Sequence, residues 1–186
     1  MTTIRKFFTT TLAATATALF ITGCIPVKDV SRGWDMGAPD EGLVGQWVGK
    51  NSDTDTVAFA MTDADFLVTA GSSGLEGGVR TIELGEHKFM IIAGLRPALE
   101  GFDTMDESSK SGNLLKYTIV DGTLTIYQFD SSTLETAIDN GDVEGIHNDD
   151  EATTLLELDD ATLDWIESIA DDDDAWSDTV YVRKAE

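Results

Sequence analysis

The chain has 186 residues, with 35 Asp and Glu against 12 Lys and Arg, for a formal charge of -23. An excess of that size repels polyanions, which excludes nucleic acid and anionic head groups as partners held by charge. Cys24 is the sole cysteine, so no intramolecular disulfide is available and a folded domain must be stable on packing alone.

The first segment opens with Arg5 and Lys6 and runs through an apolar, threonine-rich stretch from Phe7 to Thr22. A positive start, an apolar middle and a small-residue end make the pattern of a secretory signal, and the stretch falls short of the roughly 20 apolar residues a membrane span needs. At its end, Ile21-Thr22-Gly23-Cys24 resembles the lipobox of bacterial lipoproteins. The resemblance implies that residues 1–23 are a cleaved signal peptide. Cys24 would then carry a diacylglyceryl group on sulfur and an acyl chain, such as palmitate, on its new amino group. Two or three chains anchor stably where one is marginal. Ile25 stands where an aspartate would resemble an inner-membrane retention signal, so the resemblance places the protein on the outer membrane, facing the periplasm. Cleavage removes two basic residues and no acid, which takes the charge from -23 to -25.

Residues 24–41 contain two prolines and no sustained periodicity, and are expected to be a lipidated cysteine followed by a flexible tether. Residues 42–186 suffice for one domain with a real core. In chain order, strands are expected at Leu43–Lys50, Thr56–Thr62 and Asp65–Ala70. A hairpin follows in "VRTIELGEHKFMII", turning at Gly85-Glu86 with Glu83 opposite Lys88 and Ile82 opposite Phe89. A second hairpin lies in "LLKYTIVDGTLTIYQF", where the Asp121-Gly122 turn sets Val120 against Thr123, Ile119 against Leu124, Tyr117 against Ile126 and Leu115 against Gln128. A short helix over 133–140 starts at a Ser132-x-x-Glu135 capping box and stops at Gly141. A strand at Thr153–Leu158 precedes a second short helix, capped by Asp159 or Asp160 and ending near Ala170, with Leu163 and Ile166 on its apolar face. Asp178–Lys184 is the final strand, bringing the total to about nine.

Many short strands in one domain predict a mainly β sandwich or a closed barrel, and the element order, with two short helices among the strands, resembles an antiparallel, up-and-down barrel. Gly45-Gln46-Trp47 on the first strand and Arg183 on the last resemble the signature of lipocalin-like (calycin) barrels. That resemblance implies Arg183 stacking on Trp47 across one barrel end, and an interior that takes a small apolar ligand. Strand phase nominates Trp47, Phe59, Ile82, Phe89, Tyr117 and Ile126, with Ile91, Ile119 and Leu124, as inward residues. Barrels of about eight strands either fill with side chains or hold one small ligand. The alternative is a solid barrel, an envelope interaction or structural module whose acidic surface meets a basic protein partner.

Enzymatic signals are poor. "GSSGLEGG" at 71–78 lacks the Lys-Ser/Thr and following helix of a phosphate loop, and is expected to be a hairpin loop. His87 and His147 have no zinc spacing. "NSDTDT" offers Asn51, Asp53 and Asp55 at alternating positions but puts Thr56 and Thr62 where a calcium loop needs Gly and Glu, so an acidic β-turn is expected. No catalytic residue, metal site or cofactor beyond the lipid on Cys24 is expected.

Overall fold

The computed structural model describes residues 24–62, 67–71, 77–93, 110–148 and 151–183. The expected signal peptide 1–23, the loop tip at 72–76 and Lys184 lie outside the described residues. Eight strands close a barrel: β2 (Gly45–Gly49), β3 (Ser52–Met61), β4 (Leu67–Gly71), β5 (Gly77–Leu84), β6 (His87–Ala93), β7 (Gly112–Val120), β8 (Thr123–Phe129) and β11 (Trp176–Arg183). Consecutive strands pair antiparallel from β2 through β8, and β11 closes the ring by pairing antiparallel with both β8 and β2.

The two hairpins follow from their turns. Asp121 (φ 50°) and Gly122 (φ 76°) both lie at positive φ, as a type I′ turn requires, and Val120 pairs with Thr123, Ile119 with Leu124 and Tyr117 with Ile126. Gly85 supplies a single positive φ of 58° for the other hairpin, where Glu83 pairs with Lys88 and Ile82 with Phe89. The expected Leu115–Gln128 pair does not form. The β7–β8 ladder ends at Lys116–Tyr127, and beyond it a different strand takes over the edge of β7.

That strand corrects the expectation of a tether. Ile25–Asp29 is β1, paired antiparallel with β7 and parallel with β10 (Glu151–Glu157), which in turn pairs with β9 (Gly145–Asn148). Pro26, opposite Asn113, is tolerated near the strand's start. α1 (Ser31–Met36) follows directly. Ile25, Val27 and Val30 are at most 2% exposed, and burying each contributes about 1.5–3 kcal/mol. The folded unit therefore includes Ile25–Asp29, which a tether running to residue 41 would have left outside it.

Two further helices sit between β8 and β11. α2 (Ser131–Asn140) is capped two residues earlier than the capping box suggested: Asp130 accepts from the Ser132 backbone N–H at 2.9 Å, and Gly141 (φ 77°) ends the helix in the left-handed region. α3 (Asp160–Ser168) is capped by Asp159, which accepts from the Thr162 N–H at 2.8 Å, and its buried face is Thr162, Leu163 and Ile166.

These elements create a second core outside the barrel. Leu134 of α2, Leu163 and Ile166 of α3, and Leu155 of β10 pack with β1 against Ile82, Leu84, Phe89, Ile91 and Leu114 on the outer barrel wall. Ile82, Phe89 and Ile91, expected inside, thus face outward, and Phe89 meets Trp176 with ring centroids 6.1 Å apart. Phe89 through Ala93 are all buried, so β6 is covered on both faces and alternation carries no information about which face is inner. Trp47, Phe59, Tyr117, Leu124 and Ile126 do lie in the barrel interior, with Leu43, Leu67, Met90 and Leu115. On β11 the inward residues are Tyr181 and Arg183, while Val182 is 39% exposed.

Candidate functional site: the barrel interior and its closed end

One end of the barrel is closed by the segment entering β2. Asp40 accepts from the Gly42 N–H at 2.8 Å, tightening Glu41–Leu43 into a 3-10 turn that drives Leu43 into the interior. Trp47 is fully buried, and its Nε1–H donates to the Leu43 carbonyl at 2.8 Å. The Arg183 guanidinium lies over the indole, 4.6 Å from the ring centroid, and donates to the Gly42 carbonyl at 2.7 Å. Gly45 sits at φ 133°, a conformation L side chains rarely adopt, although a Cβ there would meet only Arg183 Nη1 at 3.8 Å. Glycine is therefore required for its backbone angle and not for space.

Asp40 ties the plug to the barrel wall. Tyr117 Oη–H donates to its Oδ2 at 2.8 Å, and Lys88 Nζ at 2.9 Å. Burial pushes the Asp40 carboxyl upward, but the hydrogen bonds from Lys88, Tyr117 and Gly42 together outweigh it and hold the group below its ordinary value. Lys88 is held above its ordinary value by Asp40, and burial followed by the Asp40 hydrogen bond pushes the Tyr117 phenol upward.

Toward the other end the interior changes character. Asn113 faces inward there, beside the seam where β1 replaces β8 along β7. Cys24 packs against the interior cluster at that seam, and its thiol donates to Asn113 Oδ1 at 3.2 Å. Burial pushes the thiol up to about 11, against a weaker lowering backbone hydrogen bond, so an unmodified Cys24 is neutral at pH 7 and a poor nucleophile. Bulky side chains concentrate around Trp47, whereas inward positions toward the Cys24 end include Gly49, Thr69 and Gly77. Thr69 pairs with Phe59 and so faces inward one position beyond Leu67, in the Cys24 direction. It is 5% exposed, and its Oγ1 has no hydrogen-bond partner among the described residues. Leaving such a hydroxyl unmet costs about 1–3 kcal/mol.

The residues singled out for other chemistry do not converge. His87 Nε2 lies 3.2 Å from Asp171 Oδ1, while His147 lies beside α2, 3.3 Å from Asp139 and 3.8 Å from Glu135. Ser52–Thr56 belongs to β3, which replaces the expected acidic turn, with only Lys50 and Asn51 turning before it. Sequence reasoning missed Asp40, Thr69 and Asn113. Asp40-x-Gly42 carried an Asx-turn signal that pointed to the first, but nothing local distinguishes the other two.

Fold and site together define an up-and-down antiparallel barrel, closed at one end by an Arg183–Trp47 stack and flanked by a three-stranded extension. No family model, curated protein or solved structure matches the chain.

Proposed function

We propose that this is a lipid-anchored protein of the outer membrane, facing the periplasm, whose barrel carries a small apolar molecule with one polar group. The anchor is the diacylglyceryl and N-acyl lipid on Cys24, after loss of residues 1–23. Because β1 starts at Ile25, the membrane lipid and the folded domain are separated by about one residue, and the barrel would ride directly on the head groups. The observation that carries the ligand reading is Thr69: an unmet hydroxyl, 5% exposed, aimed into an apolar barrel that is plugged at the opposite end. A ligand's polar group would satisfy it, and its apolar part would take the place of water along the walls.

The alternative is a solid barrel serving as an envelope interaction module with a basic protein partner. It is favoured by the complete burial of Trp47, Met90, Tyr117 and Leu124, which already fill the level of the plug. Export of a Cys24→Ala variant without lipid, followed by native mass spectrometry and organic extraction, separates the two. A co-purifying apolar molecule in stoichiometric amount supports the carrier; an empty, protease-resistant barrel that takes up no apolar fluorescent probe sinks it. For the anchor, radiolabelled fatty acid should enter the wild type and not Cys24→Ala.

A further inference from the structure

β7 changes neighbours partway along one edge. β8 pairs with it up to Lys116–Tyr127, and β1 takes over from Leu114–Ile25. Beyond Tyr127, β8 stays with β11, through Gln128–Ser177 and Phe129–Trp176. β7 and β8 therefore part at Leu115, and Cys24, one residue before β1, stands in the fork. Its side chain lies on the inner face. The β1–β7 register sets Cys24 opposite Leu115, an interior residue, while Ile25 and Val27 belong to the outer core. Cys24 packs against the interior cluster, and its Sγ–H donates at 3.2 Å to Oδ1 of Asn113, which shares that face with its partner Ile92. Whatever is bonded to the sulfur thus starts inside the barrel wall. An independent observation points the same way. Thr69, 5% exposed, turns into the same interior a hydroxyl with no partner among the described residues.

We infer that one acyl chain of the lipid on Cys24 lies in the barrel, making the protein's own anchor the resident occupant of its interior. The inference rests on the anchor reading above and names what fills the site before any cargo does. The chemistry matches. Lipidation replaces the S–H by a thioether, and the polar atoms of a thioether-linked diacylglyceryl group, its sulfur and ester oxygens, are all acceptors. The Asn113 amide and the Thr69 hydroxyl can both donate. A barrel of about eight strands has room for one small ligand, so a single chain enters. Three chains then leave two for the membrane, and two anchor stably. Tethering gives the inner chain a roughly millimolar effective concentration, so a free cargo enters only by outcompeting it. Cys24→Ala, which lacks the chain, should accordingly leave the interior open to a free probe.

The test attaches chains of graded length to the sulfur. Residues 24–186, produced without lipid and carrying the whole described fold, are labelled at Cys24 in urea with methyl, butyl, octyl or dodecyl methanethiosulfonate and refolded by dilution. The thiol displaces methanesulfinate and becomes a mixed disulfide bearing the alkyl chain. A chain that enters the barrel buries its CH₂ groups, so octyl should raise the folding equilibrium constant at least tenfold over methyl, read from urea unfolding. The octyl form should also take up an apolar fluorescent probe at least tenfold more weakly than the methyl form. The control is Cys24→Ala, Val120→Cys, whose label hangs from a position where the native side chain is 62% exposed. Its stability should not change with chain length, and its dodecyl form should float with phosphatidylcholine vesicles more than the Cys24 dodecyl form does. At Cys24, a folding constant that is flat or falls with length overturns the inference, and probe uptake by the methyl form then keeps the carrier reading. An octyl form that fails to refold where the methyl form refolds, or equal flotation of the two dodecyl forms, overturns it as well. A rising constant in a protein whose methyl form binds no probe upholds the inference and overturns the carrier reading instead. The labels are attached without the cell, so the result is separate from the radiolabelling that tests the anchor.

Discussion

The Arg183–Trp47 stack is open to a quantitative test, because its parts separate in a double-mutant cycle. Arg183→Ala removes two interactions, the cation over the indole at 4.6 Å and the hydrogen bond to the Gly42 carbonyl at 2.7 Å. A cation–π contact contributes about 0.5–1 kcal/mol when exposed and about 2 when desolvated. Here the ring is fully buried and the guanidinium is exposed, so about 1 kcal/mol is expected. The hydrogen bond to Gly42 adds about 1 kcal/mol, for a total near 2. Trp47→Leu separately loses the Nε1–Leu43 bond and the whole aromatic face. Only the cation–ring contact is shared, so the cycle should return a coupling of about 1 kcal/mol. Urea unfolding followed by far-UV circular dichroism measures it, and Arg183→Ala alone should lower Tm by about 4–8 °C. Additivity within about 0.3 kcal/mol would refute the stack as an energetic unit.

Three other outcomes follow from the same geometry. Ile25→Ala should cost about 2–5 kcal/mol because β1 belongs to the core; a tether would lose nothing in the same urea titration. Gly45→Ala should cost about 1–3 kcal/mol through its φ of 133°, with Gly122→Ala, also at positive φ but at an exposed turn, as the comparison. Tyr117, Tyr181 (pushed up to about 12, by burial first and then by Asp55) and Lys88 all have folded values above their ordinary ones. Their contribution is complete below about pH 10 and is lost as pH rises through the folded values, so urea midpoints should fall between pH 10 and 12. Tyr117→Phe should flatten that fall.

How far the fold was legible depended on whether each strand had one wet face. In β7 and β8 a clean alternation and an Asp-Gly turn fixed the register from Lys116–Tyr127 to Val120–Thr123. In β6 five successive buried residues erased the alternation, and Phe89 and Ile91 were assigned to the wrong core for that reason. Ile25 and Val27 do alternate with polar positions, but Pro26 and the neighbouring Gly33 read as linker, and β1 is held by partners about 90 and 130 residues away. The closed end was half visible. Gly45, Trp47 and Arg183 are legible through their resemblance to the lipocalin-like signature, whereas Asp40 owes its role to Lys88 and Tyr117, which only the folded barrel brings to it. Thr69 is one threonine among many until its hydroxyl is seen buried without a partner among the described residues.

The most direct test of the carrier reading is titration of the Cys24→Ala protein with a fluorescent single-chain fatty acid, run in parallel on a Thr69→Val variant. Valine removes the unmet hydroxyl while keeping the shape, so the variant should be at least as stable as its parent toward urea, yet bind the probe at least fivefold more weakly. Saturable binding to the parent with that loss in the variant is the predicted result. No binding by a parent shown to be folded, or equal affinity in both proteins, would contradict the account.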